Sequence, residues 1–276
     1  MPYEFVGPCF ALAAAVLWGG ADFSGGMGAR GAHPVLVVVL SQVAGLACLL
    51  TFALAAGEQM PPAPALLWGG AAGVGASIGY LCFYRALAIG KMGINSPIAA
   101  IVTSGLSVLY SVAIFNQGLP TTTQLVGFAI ALVAVWLMTV SSGETKGLGL
   151  AICAGLAFSA YLTCSKQATG EAVYWPLVAA RAAGVAVLAP ALVSARVRER
   201  PASWWYIIGA GVLDAAANAL FVYATRHGRL DVATILSAFY PAITVLCASA
   251  ILHERATPLQ RAGIACALVA IPLTMA

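Results

Sequence analysis

The sequence predicts an all-α membrane protein, with about ten transmembrane helices arranged as two inverted five-helix repeats around a central cavity. Three observations carry that expectation. Of 276 residues, 62% are hydrophobic and only 8% charged, whereas soluble domains are roughly 45–50% apolar and about 25% charged. The apolar residues fall into stretches close to the ~20 residues that a spanning helix needs. The pattern of the first half of the chain recurs in the second.

The spans follow in order. Residues 5–24 form the first; the start of the sequence, MPYEFVGPC, has no basic n-region, so no cleavable signal peptide is expected. Residues 34–56 form the second and stop at GEQMPPAP. Residues 65–87 and 94–115 follow, the latter closed by QGLPTT, and 123–141 ends at SSGETKG. The second half repeats the plan with 147–165, 172–194, 204–226, 230–252 and 259–275, separated by turn-forming sequences such as KQATGE, RVRERPAS and HERATP. The two repeats are 1–141 and 147–276, within one integral membrane domain. Backbone groups in lipid must bond internally, and the spans lack the alternation of barrel strands, so helices are expected. The 29 glycines, with Ala and Ser, permit close helix approach.

Composition also excludes. A net charge of +4 is small, and the basic residues are spread out, so no nucleic acid is expected as a partner. The seven cysteines all lie in apolar stretches with no CxxC, implying neither disulfides nor a zinc site. His33, His227 and His253 are far apart, and GADFSGG lacks the GK[ST] ending of a phosphate loop. No cofactor, metal or directly hydrolysed nucleotide is expected, and no nucleophile–base constellation suggests an enzyme. Basic residues concentrate at the loops opposite the termini (Arg30, Lys91, Lys146, Arg196, Arg198, Arg200, Arg255 and Arg261). Only Lys166, Arg226 and Arg229 lie on the terminal side. By the positive-inside rule both termini would be outside.

The repeat is read from aligned stretches. FYRALAIGKM at 83–92 lies against FVYATRHGRL at 221–230, Gly90 with Gly228, a shift of 138 (228 − 90). ALVAVWLM at 131–138 matches ALVAIPLT at 267–274, and QVAGLACLL at 42–50 matches RAAGVAVLA at 181–189. Five helices per repeat is an odd number, so the second copy enters the membrane upside down. Inverted repeats build secondary transporters, with the substrate site near the midplane between them.

LWGG at 17–20, SAFYPAITVL at 237–246 and LHERATPLQRAGIACALVAI at 252–271 resemble the EamA-type family of the drug/metabolite transporter superfamily. There an acidic residue ends helix 9, a TPxQ-like loop follows and a glycine opens helix 10; here those are Glu254, Thr257-Pro258-Leu259-Gln260 and Gly263. The resemblance implies ten helices around a cavity, and transport of small metabolites, often export, across a bacterial inner membrane. It implies cytoplasmic termini, opposite to the charge count, which rests on few residues. The halves also differ: Asn116 stands where the second has Glu254, and Thr103 where it has Pro241, so the two gates are not expected to be equivalent.

Charged side chains at mid-bilayer cost about 2.5–3.5 kcal/mol on insertion scales, so each needs a partner, a cavity or a function. Asp214 lies near the middle of helix 8, with Asn218 one turn on along the same face. It is either a cavity group (proton carrier, cation ligand or amine binder) or the buried partner of Arg181 in helix 7. Asp22 follows Trp18 by one turn; the glycines of LWGGADFSGG could open the backbone there, or Asp22 could sit at the interface near the helix end. Phe158, the counterpart of Trp18, makes a second cavity or packing aromatic. Gln42 pairs by repeat with Arg181. Arg85 is expected to snorkel, and Glu254 with Arg255 to face a loop. Pro97 and Pro241, after Ser96 and Tyr240, interrupt helices 4 and 9 and are hinge or kink candidates. The substrate-binding set is therefore Trp18, Asp22, Asp214, Asn218, Tyr240 and Phe158. The coupling or gating set is Asp214, Arg181, Gln42, Pro97 and Pro241. Partners are the bilayer, a small-molecule substrate and protons. The expected activity is proton-linked export of an amino acid or amphiphilic metabolite by alternating access. The rivals are a facilitator or exchanger for sugars or neutral solutes and, behind it, an intramembrane enzyme.

Overall fold

A computed structural model describes residues 5–29, 31–89, 92–116, 118–139, 146–168, 170, 172–194, 201, 203–251 and 257–275. All regular structure among them is helical. The elements are α1 (Val6–Ala29), α2 (Pro34–Ala55), α3 (Ala63–Ile89), α4 (Met92–Ala113), α5 (Thr122–Thr139), α6 (Leu148–Ala168), α7 (Tyr174–Ser194), α8 (Trp204–Arg226), α9 (Leu230–Ser237), α10 (Tyr240–Ile251) and α11 (Pro258–Met275). Six of them (α1, α2, α3, α6, α7 and α8) are long and apolar enough to cross a membrane, and shorter apolar stretches lie at Ile98–Ala113, Thr122–Leu137, Leu230–Thr244 and Arg261–Ala270.

Local chemistry sets the ends. His33 Nδ1 accepts from the Val35 amide at 3.3 Å, and Pro34 fills the first turn of α2, where a missing N–H costs nothing. Before α5, the Thr121 hydroxyl accepts from the Gln124 amide while the Gln124 side chain accepts from the Thr121 amide, both at 3.1 Å, a capping box. The start of α7 is capped from elsewhere in the chain. The Glu58 carboxylate, in the α2–α3 loop, accepts from the amides of Tyr174 and Trp175, both at 2.9 Å, and of Val173 at 2.5 Å.

The span expected at 230–252 is two helices. Pro241 has no N–H to offer the Ser237 carbonyl, so the ladder stops there. The chain turns through Ala238 and Phe239, and Pro241 re-enters as the second residue of α10. Thr244 staples the new helix, its hydroxyl 3.1 Å from both the Tyr240 and Gly19 carbonyls. Pro97 falls within α4, but its side chain lies outside the described residues, as do Glu254 and Arg255.

The packing has an exchange symmetry. α1 packs on α8 as α3 packs on α6; α2 meets α8 as α7 meets α3; α1 meets α9 and α10 as α6 meets α4; α2 meets α7, and α5 meets α11. Substituting each helix by its counterpart five positions on, with α9 and α10 counted together, returns the same pattern. Two glycines show the match in atomic detail. A Cβ on Gly73 would stand 1.9 Å from the Ala180 carbonyl oxygen, and one on Gly211 would stand 2.1 Å from that of Ser41. Gly73 and Gly211 are repeat mates, and so are Ser41 and Ala180. The α3–α7 and α8–α2 crossings therefore use one backbone-on-backbone device twice, as expected where helices associate through small residues in lipid. Large apolar side chains such as Leu67, Val193 and Leu268 are exposed on the bundle exterior, the disposition of a lipid-facing surface.

Candidate functional site

Between the halves lies a cavity of about 90 Å³. The first half lends it Trp18 and Asp22 from α1, Gln42 from α2, Tyr80 and Phe83 from α3, and Thr103 and Ser104 from α4. The second lends Phe158 and Tyr161 from α6, Arg181 from α7, Asp214 and Asn218 from α8, Thr234 and Ser237 from α9, and Tyr240 beyond the break. α5 and α11 contribute none of its described lining and pack on each other instead. All six residues of the expected substrate set line this cavity, with Arg181 and Gln42 of the gating set. Pro241 is buried beside it without lining it.

Its polar floor is a connected network. The Arg181 guanidinium donates through Nη1 to Gln42 Oε1 and through Nη2 to Asp214 Oδ2. The Tyr80 hydroxyl donates to Asp214 Oδ1 at 3.1 Å. Asn218 donates from Nδ2 to the backbone carbonyl of Asp214 at 2.7 Å, and its Oδ1 accepts from the Tyr161 hydroxyl. Asp214 thus both lines the cavity and is the buried partner of Arg181. A second, smaller cavity of about 20 Å³, floored by Ala21, Val38, Ser41 and Ala210, shares Asp22, Gln42, Tyr80, Arg181 and Asp214 with the first. The ion pair and its neighbours form the partition between the two spaces.

Asp22 differs. α1 runs unbroken through LWGGADFSGG to Ala29, so the expected opening of the backbone is absent, and Asp22 stands about two turns inside the helix rather than at its end. Among the described residues, no hydrogen bond or ion pair reaches its carboxylate. Aromatic rings form the walls. Phe158 meets Tyr80 edge-on at 5.2 Å and Phe83 at 5.8 Å, and Trp18 packs on Phe221 at 5.5 Å.

Tyr80 and Tyr161 were not singled out from the sequence, though the repeat marks the first of them. Tyr80 is the mate of Asn218. With Gln42 and Arg181, and Ala76 and Asp214, three pairs of equivalent positions carry most of the network, filled with different chemistry in each half. Thr103 bonds to the carbonyls of Ala99 at 2.8 Å and Gly155 at 3.1 Å, holding α4 to α6. The Ser104 and Thr234 hydroxyls are buried without a hydrogen-bond partner among the described residues.

At the end of the bundle that carries the N-terminus, the connections are tied together. Besides the Glu58 cap, Arg226 donates to the carbonyls of Gly170 and Ala172, each at 2.7 Å, and Lys166 to that of Thr225. Arg229 bonds to Asp231 at 2.7 and 3.0 Å and to the Gly118 carbonyl at 3.1 Å; the Asp231 bond pushes the guanidinium pKa above its ordinary value. The Arg85 side chain is exposed, as a snorkelling residue would be. No group of metal-binding side chains occurs among the described residues, and the seven cysteines are free.

The geometry meets its relatives here. No curated protein matches the sequence. A crystal structure titled only "Crystal structure of protein" superposes with a TM-score of 0.81 at 15% identity, covering 97% of each chain, which establishes the fold. The model of the EamA-like transporter family matches twice, at residues 5–140 and 145–276. The chain, matched end to end in two copies that divide where the packing divides, belongs to the EamA-like transporter family.

Proposed function

We propose that the protein is a secondary active transporter of small organic metabolites, a proton-linked exporter of the bacterial inner membrane working by alternating access. One observation carries the reading: a cavity with charged and aromatic walls sits at the junction of two halves whose helix packing is interchangeable. In this reading α9 and α10 count as one interrupted span, giving ten spans in two inverted repeats. Exchanging the conformations of the halves moves the cavity mouth from one face to the other. The tied loops near the N-terminus are one closed gate, and the break before Pro241, beside Tyr240, is a hinge. A cavity carboxyl that must be protonated or occupied by substrate before the halves exchange couples the two fluxes. Asp22 and Asp214 are the candidates. Membership of a transporter family weighs against a catalytic role.

The test is flux into proteoliposomes with labelled aromatic amino acids, amines and sugars, with and without an imposed pH gradient. Accumulation that follows the gradient and is lost in Asp22→Asn or Asp214→Asn supports the reading. Equilibrating flux of a sugar, indifferent to the gradient, would establish the facilitator instead.

A further inference from the structure

We propose that the cavity selects a monocationic amine on a small apolar or aromatic body, held by Asp22, and rejects ligands bearing a free carboxylate. The inference rests on the cavity being the substrate site, and it narrows the ligand class by charge.

Among the described lining residues the ionisable set is Asp22, Asp214 and Arg181, with neutral hydroxyls besides. Arg181 is committed on both terminal nitrogens, to Gln42 and to Asp214. Asp214 is committed on both oxygens, to Arg181 and to Tyr80. Tyr161 of α6 and Asn218 of α8, which also line the cavity, bond to each other. Asp22 alone holds a carboxylate that no described partner reaches. Whenever Asp22 is ionised, the described lining carries one negative charge more than it balances.

A ligand ammonium supplies what is missing. It would gain a charge-assisted hydrogen bond to Asp22, and Trp18, one turn away on the same side of α1 and lining the same cavity, offers an aromatic ring for a cation–π contact. Phe158 and Tyr240 flank the space left for the apolar body. A ligand carboxylate meets the reverse. Arg181, the one cation among the described lining residues, is already paired, so binding would require pulling it from Asp214 and leaving a buried acid uncompensated, the costly way to break such a pair. A zwitterion would gain at one end and lose at the other. The selection works by unfavourable placement as much as by attraction.

The experiment is calorimetric titration of the detergent-purified full chain with four ligands on one indole body. These are tryptamine (a cation), tryptophan (a zwitterion), indole-3-propionate (an anion) and 3-methylindole (neutral). A linear series of hexylamine, 6-aminohexanoate, hexanoate and hexanol runs alongside. The expected result is that the amine of at least one series binds about tenfold or more tighter than its zwitterion and acid. Asp22→Asn should erase the advantage of the amine over the neutral body while still binding the neutral body. Tryptophan or 6-aminohexanoate binding as tightly as the matching amine overturns the proposal. So does an amine preference that survives in Asp22→Asn, or neutral bodies binding while neither amine does. The wild-type series reads the charge preference even if the variant does not fold. Amine-selective binding without amine flux in proteoliposomes would reject the transport reading and leave this inference standing. Proton-coupled flux of zwitterions would do the opposite.

Discussion

Gln42 and Arg181 are repeat mates, 139 residues apart, and they hydrogen-bond to each other. When two copies of a motif are related by a two-fold operation, a position that touches its own counterpart lies next to the axis. The bond therefore marks where the halves meet. At that point the first half places a neutral acceptor and the second a cation. Asp214 then balances the cation, and its own counterpart, Ala76, is apolar. The polar centre is a symmetric frame with asymmetric contents.

The Arg181–Asp214 pair should behave as a buried pair whose halves cannot be removed singly. Arg181→Met or Asp214→Leu alone strands one charge and should cost about 3–5 kcal/mol, whereas the two together should fall close to the parent. Thermal unfolding in detergent reads this directly. A double variant as unstable as the sum of the singles would mean that the pair is not the dominant interaction of either group.

The paired glycines make a prediction with an internal control. Gly73→Ala and Gly211→Ala each drive a methyl into a carbonyl at under 2.2 Å, which only a shift of the partner helix relieves. Both should lower the melting temperature, by about 1–3 kcal/mol equivalent each. Gly70→Ala, on the same helix as Gly73 but with nothing within 4 Å of the new Cβ, should leave stability unchanged or slightly raised. Equal losses at all three positions would point to glycine flexibility rather than close approach.

Much of this was readable from the residues. The helical class, the two-copy pattern and the register that pairs Gln42 with Arg181 all follow from apolar run length and aligned patterns. Those signals are strong because lipid imposes them along the whole length of each helix. What was not readable depended on which face of a helix looks inward. Tyr80 and Tyr161 sit in apolar runs like any other aromatic residue. Only the position of Tyr80, opposite Asn218 in the repeat, sets one of them apart. The division of helix 9 was half legible: Pro241 announced a disturbance, but whether proline kinks a helix or ends it depends on what holds the neighbouring turns, here the Thr244 bond to Gly19. The Glu58 cap was not legible at all, since it joins a loop to a helix start more than 100 residues away.

That cap should matter for stability more than a surface carboxylate does. Glu58 satisfies several of the amides that a helix start leaves without partners, and its charge lies at the positive end of α7. Glu58→Ala should cost about 1–2 kcal/mol. Glu58→Gln should lose less, because the amide oxygen still accepts while the charge is gone. If the two variants are equally destabilised, the charge rather than the hydrogen bonds carries the effect. If neither is, the cap is incidental.

The Tyr161–Asn218 bond offers the last check, on whether the network is cooperative. Tyr161→Phe leaves Asn218 Oδ1 without its donor inside the cavity wall, and Asn218→Ala removes both the acceptor and the bond to the Asp214 carbonyl. Each single change should cost about 1–3 kcal/mol. The double variant should cost less than their sum, with a coupling of about 0.5–3 kcal/mol, since the two side chains satisfy each other. Asn218→Ala should also loosen Asp214, so ligand binding should weaken more in that variant than in Tyr161→Phe. Strict additivity in melting, with equal effects on binding, would show that the two residues act separately, and that Asp214 is positioned by Arg181 and Tyr80 alone.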